Sequence, residues 1–278
     1  MAFMLRFLCF FVSVLLVSIS AASTSTPAPG VAPLELRIAV VSDGRARYFI
    51  RLLEESLKSI HQPYHIHYVK DIPSRRMWWM LGKGDINLFY GMRSQDKDSS
   101  EQLVLVRNAL TNGLVGRRVL LIRPADAEVF AQVRSVEDLK RTKLIAGFGA
   151  GWGDVKVWET AGLPLYEHAA PWNTIYAMVA AENRHVDYLP RSVIEVVDEA
   201  RAHPELVVEQ HLLMDYRADF AFYLTASAAS YRPIIERALK EAEANGLKAR
   251  LIDETFGADI KALKLNRRLR LPLAATPD

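Results

Sequence analysis

SVEDLKRTKLIAGFGAGWGDVKVWETAGL, residues 135–163, carries the reading of this chain. Ser135 is followed three residues later by Asp138, the spacing of a capped helical turn. Lys143–Ala146 reads as a short apolar strand, Gly147–Gly153 as a glycine-rich loop, and an amphipathic helix begins near Asp154. Strand, loop and helix start present several backbone N–H groups on one side. That surface suits an anionic or hydrogen-bonding small molecule. The plainer alternative is a strand-to-helix turn with no ligand. No Lys-Ser or Lys-Thr closes the loop, so it is not a Walker phosphate loop. Trp152 stands where a dinucleotide fingerprint needs close backbone approach.

Outward from this stretch, helical and strand patterns alternate. Leu36–Val41, Tyr64–Val69, Asp85–Tyr90, Gly116–Arg123, Val186–Leu189, Leu206–Gln210 and Phe220–Leu224 read as strands. Asp43-Gly44 reads as a turn. Arg47–Ile60, Ser74–Leu81 (opened by Pro73), Thr174–Glu182, Pro190–Arg201 and Ser230–Asn245 read as helices. The class is therefore α/β with largely parallel sheets. Helix, turn and strand occur twice in similar form, as MLGKGDINLFYG (80–91) and VAAENRHVDYLPRS (179–192). Ligands of open α/β sheets sit beyond the carboxyl ends of strands. That places Tyr90, Gly91 and Arg93 at one such end, and Pro190, Arg191 and Ser192 at another. Asp85 and Asp187 lie at the opposite ends and read as turn caps.

LGKGDINLFYG (81–91), the 135–163 stretch, ENRHVDYLP (182–190) and SYRPIIERALKEAEANG (230–246) follow one another in the order of a known family. Over about residues 35–260 the chain resembles the bacterial extracellular solute-binding proteins of family 3, the polar-amino-acid type. The resemblance implies a periplasmic-binding-protein type 2 fold, with two lobes of mainly parallel sheet flanked by helices and joined by two hinge strands. Lobe 1 would comprise 34–122 plus 224–278, and lobe 2 would comprise 123–223. It also implies a ligand trapped between the lobes and handed to an ABC permease. Family members place an Arg in a Thr-x-x-Arg context after the strand matching Asp85–Tyr90. Here that position falls near Asp98, and Arg93 is the available substitute. The family's ammonium-binding Asp is matched by Pro190-Arg191-Ser192. Its small hydroxyl residues in the lobe 2 loop are matched by Trp152 and Asp154. These departures point away from an ordinary free α-amino acid.

The expected ligand site is thus Tyr90, Gly91 and Arg93 from lobe 1 with Gly149, Trp152, Gly153, Asp154, Arg191 and Ser192 from lobe 2. Arg191 or Arg93 would make a two-pronged contact with a carboxylate or phosphate. Trp152 would stack on an apolar part, and Tyr90 would offer a hydroxyl. Trp172 reads as a packing residue, with a cleft role as the lesser alternative. His65 and His67 share a strand face but have no third metal ligand at sensible spacing. No cofactor is expected, and no catalytic signature appears. Asp154 or Glu159 as a dehydratase-like carboxylate is the enzymatic alternative. A protein-binding module for a periplasmic sensor is the other.

Arg6, the apolar run Leu8–Ile19 and Ser20-Ala21-Ala22 read as a secretory signal over residues 1–22, with a retained anchor as the alternative. Residues 23–33 read as a disordered Ser/Thr/Pro/Ala leader. The single cysteine, Cys9, lies in the signal, so the mature chain has no thiol chemistry. The formal charge of +3 is near neutral and does not favour nucleic acid. The basic tail Lys261–Arg270 reads equally well as a solvated helix or strand and as a contact surface. The expectation is a monomeric periplasmic protein, not inserted in the membrane once the signal is cleaved.

Overall fold

The computed structural model describes residues 31–40, 46–70, 74–169, 171–181 and 186–274. The signal, most of the leader, the Asp43-Gly44 turn, Pro73 and Glu182–His185 lie outside the described residues.

The first sheet begins with β1 (Leu34–Val40), followed by α1 (Ala46–Ser59), β2 (Tyr64–Lys70), α2 (Ser74–Lys83), β3 (Leu88–Met92), α3 (Gln95–Asp98) and β4 (Leu103–Leu105). The chain then crosses to a second sheet. There it forms β5 (Arg117–Ile122), α4 (Ala127–Ala131), α5 (Val136–Thr142), β6 (Ala146–Gly149), α6 (Asp154–Ala161), β7 (Leu165–His168) and α7 (Ile175–Ala180). β8 (Tyr188–Ser192), α8 (Val196–Ala202), β9 (Val207–Val208) and β10 (Leu212–Asp215) complete that excursion. The chain returns on β11 (Phe220–Thr225), and α9 (Arg232–Ala244) and α10 (Leu247–Ala262) follow. The last strand is β12 (Leu269–Pro272).

The first sheet has the order β2-β1-β3-β11-β4, and the second β12-β10-β5-β8-β6-β7, with β9 on β5. Both are mixed rather than mainly parallel. β11 runs antiparallel to β3 and β4, and β5 runs antiparallel to β8, β9 and β10. The reason is topological. β5 and β11, the strands that follow the two crossings, run against the direction set by the strand–helix–strand units of their sheets, whereas β12, reached after α10, runs with them.

The sheets also draw the lobes differently from the sequence boundaries. β5, expected in lobe 1, pairs in the second sheet. So does β12, which lies parallel to β10. β11, mostly assigned to lobe 2, pairs with β3 and β4 in the first. Partner choice is a long-range matter that local pattern does not specify.

Two main apolar clusters fill the molecule; the larger runs from the first lobe into the second, and the smaller lies within the second. In the first lobe, Phe49, Leu52, Leu53 and Leu57 on one face of α1 meet Ile235, Ala238 and Leu239 of α9. In the second lobe, β5 alternates: Leu120 and Ile122 join the cluster around Phe148, Trp158 and Tyr188, while Val119 and Leu121 join Ile175, Tyr176 and Val179.

Two crossings touch between the lobes. The Gly116 carbonyl accepts from the Tyr216 N–H at 3.0 Å. The Asp219 carboxylate accepts from the backbone N–H groups of Leu110, Thr111, Gly113 and Phe220 and from the Thr111 hydroxyl, at 2.6–3.1 Å. One side chain therefore ties the outgoing chain to the returning one. Replacing it (Asp219→Ala) strands these donors and is expected to lower stability by about 3 kcal/mol. Urea denaturation of the mature chain measures this, and an unchanged midpoint would show that the crossings are held by other contacts.

Candidate functional site

The glycine-rich segment begins as strand rather than loop. β6 is Ala146–Gly149, three residues later than the apolar run alone suggests, because Gly147–Gly149 pair with Tyr166–His168 of β7. Ser135 caps α5 as read, its hydroxyl accepting from the Asp138 N–H at 3.0 Å. α6 starts at Asp154. Between β6 and α6 the chain turns through Gly151, whose φ of 76° suits a residue without a side chain. Gly149 has a different constraint. A Cβ there would lie 2.5 Å from Nε1 of Trp152, so the indole packs directly on the strand end.

Pro190, Arg191 and Ser192 do not begin a helix. They are the last three residues of β8, and α8 starts at Val196. β8 meets β6 only at Tyr188, so Pro190 lies where the strand has β5 as its neighbour and needs no second partner for a missing N–H. Ser192 is buried; its hydroxyl donates to the Leu114 carbonyl at 3.1 Å, on the first crossing.

The carboxyl ends of β6 and β8 hold a buried charge network. Arg118, on β5, lies 2.6 Å from Asp154 through Nη2 and 3.2 Å from Glu195 through Nη1. Its Nε donates to the Tyr216 hydroxyl at 2.9 Å, and that hydroxyl in turn donates to Asp154. Arg191 makes a two-pronged contact with Glu199, at 2.6 and 2.5 Å, and lies 3.2 Å from Glu195. The same Glu195 oxygen, Oε2, also accepts from the Ser192 N–H at 3.2 Å. Burial pushes the Tyr216 phenol well above its ordinary pKa; Arg118 opposes this and Asp154 adds to it. The phenol therefore keeps its proton and remains the donor to Asp154. Burial works against the charge of Arg191, but Glu199 outweighs it and leaves the guanidinium's pKa raised. Both arginines stay charged, and buried ions persist only when paired in this way.

Aromatic rings cover the network. The Arg191 guanidinium carbon lies 4.9 Å from the Trp152 ring centre and 5.6 Å from that of Trp172. The two indoles are tilted by 54°, with centres 5.8 Å apart. Lobe 1 closes the other side with the end of β3. A Cβ on Gly153 would stand 3.2 Å from Met92 Cε and 3.6 Å from the Arg93 carbonyl oxygen. Met92 also places its sulfur 3.7 Å from Arg118 Nη2.

The structure thus brings together Gly149, Trp152, Gly153, Asp154, Arg191 and Ser192, with Met92 and Arg93 opposite. Gly91 lies inside β3, paired with Ala221, and Tyr90 turns into lobe 1, its ring stacked on Phe49 at 4.2 Å. Arg93 is held by Asp98, at 3.0 and 2.6 Å, with about half of its side chain exposed. The residue near the family's usual arginine position is thereby the partner of its substitute. Glu159 pairs with Lys156 at 3.2 Å on the exposed side of α6, away from Asp154. His65 and His67 lie 2.7 and 3.4 Å from Glu35, all three exposed. Among the described residues no group of His, Cys, Asp and Glu is arranged to hold a metal ion.

Arg118, Glu195, Glu199, Tyr216 and Met92 were not singled out by sequence reasoning, and Trp172 was read first as packing, with a cleft role as the lesser alternative. One signal was present. Arg191, Glu195 and Glu199 stand at four-residue intervals. A second was Arg118, which shares an otherwise apolar strand face with Leu120 and Ile122.

No protein-family model matches the chain, and no curated protein sequence matches it. Solved structures do. The ligand-binding core of GluR0 in complex with L-glutamate aligns over 82% of this chain and 100% of that one, with 14% identity and a TM-score of 0.58. An ancestral arginine-binding protein bound to arginine aligns over 80% and 98%, with 13% identity and a TM-score of 0.56. An amino acid ABC transporter substrate-binding protein from Streptococcus pneumoniae, bound to L-arginine, aligns over 81% and 96% at 13% identity, with a TM-score of 0.56. The chain has the periplasmic-binding-protein type 2 fold. In this type 2 fold the Trp152–Arg191 region and the end of β3 belong to opposite lobes. At such identity the likeness is one of architecture, and the side chains must speak for the ligand.

Proposed function

We propose that this chain is an extracytoplasmic receptor that closes two lobes on a small polar solute. The observation that carries the reading is the approach of Met92 and the Arg93 carbonyl, at the end of β3, to Gly153 of the opposite lobe, next to Trp152. A solute seated there contacts both lobes and so favours the closed form. The half-exposed Arg93–Asp98 pair offers polar contacts at the rim, and Trp152 offers a ring face to an apolar part. Arg191 and Arg118 are already balanced by carboxylates, so they hold the wall rather than bind an anion. The N-terminal signal supports export. No described helix is long and apolar enough to cross a membrane. An ABC permease or a periplasmic sensor domain would receive the closed form.

Thermal-shift screening of the mature chain against amino acids, carboxylates, peptides and phosphorylated metabolites tests the proposal. A ligand present at a hundredfold excess over its Kd should stabilise by about 2.7 kcal/mol. It should also change the emission of Trp152, an effect absent in Trp152→Leu. A broad library that yields no stabiliser counts against a receptor role.

A further inference from the structure

A planar cation over two indoles, with a two-pronged carboxylate on its edge and a second carboxylate nearby, is the arrangement by which a protein recognises a guanidinium ligand. Trp152, Trp172, Glu199 and Glu195 make such an arrangement here, and the cation in it is Arg191 of the same chain. The geometry points to a guanidinium-binding box in the lobe 2 wall, occupied in cis by Arg191. Free guanidinium compounds are the ligand class that the box accepts when this side chain is removed.

Three features favour occupancy over ordinary core packing. The side chain is 4% exposed, yet its charge-bearing end meets polar partners and ring faces rather than aliphatic filling. Its carboxylates come from outside β8: Glu195 lies in the turn after the strand, and Glu199 on α8. Both rings remain partly exposed. Trp152 and Trp172 therefore give a small molecule a way in once the arginine stem is gone. In the receptor proposed above, the arginine would keep the carboxylates silent toward solutes. The inference rests on that reading only for this last consequence.

Arg191→Ala removes the side chain from Cγ outward, and ethylguanidinium restores the lost atoms. The variant is expected to melt about 10 °C below the parent, because Glu199 loses its two-pronged cation and Glu195 is left with Arg118. At 10 mM, ethylguanidinium should return about half of that loss. Ethylammonium and sodium chloride at the same concentration should return little, since neither supplies the planar fork. The parent protein should not shift with ethylguanidinium. Equal rescue by ethylammonium, no rescue, or an equal shift in the parent would overturn the proposal. Should Arg191→Ala prove insoluble, Arg191→Lys keeps the charge and most of the stem but loses the two-pronged contact. It should melt roughly 5 °C lower, and an unchanged melting temperature would overturn the box. Rescue with no stabiliser in the solute library would leave the box standing and remove the receptor reading. The reverse result would do the opposite.

Discussion

Arg118→Ala is expected to lower stability by about 3–5 kcal/mol, the range for removing one partner from a buried ion pair. The side chain sits between Asp154 and Glu195, its contacts to them 2.6 and 3.2 Å long, and both carboxylates are themselves buried. Without Arg118, Asp154 keeps the Tyr216 hydroxyl as its donor. Glu195 keeps Arg191 and the Ser192 N–H. The loss should therefore fall mainly on Asp154. A double-mutant cycle tests this directly. Arg118→Ala with Asp154→Ala should be less destabilised than the sum of the two single variants, by about 1–3 kcal/mol. Additive effects would mean that the pair is not coupled. Because Arg118 also touches Met92 of lobe 1, Arg118→Ala should weaken any solute that binds the closed form, beyond its effect on stability.

Gly116→Ala should rank with it, at about 4 kcal/mol. A Cβ on Gly116 would fall 1.9 Å from the Tyr216 carbonyl oxygen and 3.0 Å from the Ala218 nitrogen. Both are backbone atoms of the returning crossing, so no flexible side chain can move aside. Relief requires the two crossings to separate, which breaks the Tyr216–Gly116 hydrogen bond and shifts Tyr216 away from Arg118 and Asp154. Urea denaturation gives the stability, and small-angle scattering with and without a solute gives lobe closure. A variant with parental stability and closure would show that the crossings have more freedom than this contact allows.

The α/β class was legible because Leu36–Val41, Arg47–Ile60, Tyr64–Val69 and Phe220–Leu224 carry strong local periodicity, and each became the expected element over its described residues. α10 was not separated from the C-terminal tail; its apolar face becomes clear only against α1 and α9. The Gly149–Asp154 turn was legible because glycine and an acidic helix start leave local marks. The roles of Arg191 and Ser192 were less legible. The pattern ended the strand at Leu189, whereas pairing with Arg118 and Val119 carries it to Ser192. Three residues of extra strand turn Arg191 from a first-turn helix position into a buried side chain.

The amino-acid sequence alone determined the alternation of helices and strands, the resemblance to a two-lobed binding fold and the position of the Trp152 loop. These depend on periodicity, turn residues and order, which act over a few neighbouring residues. Only the tertiary structure decided that the sheets are mixed, that Gly116 and Tyr216 touch, and that Arg118 and Arg191 spend their charge on Asp154, Glu195 and Glu199. Strand partners and ion pairs depend on which distant segments come within a few ångströms, and local pattern does not encode that distance.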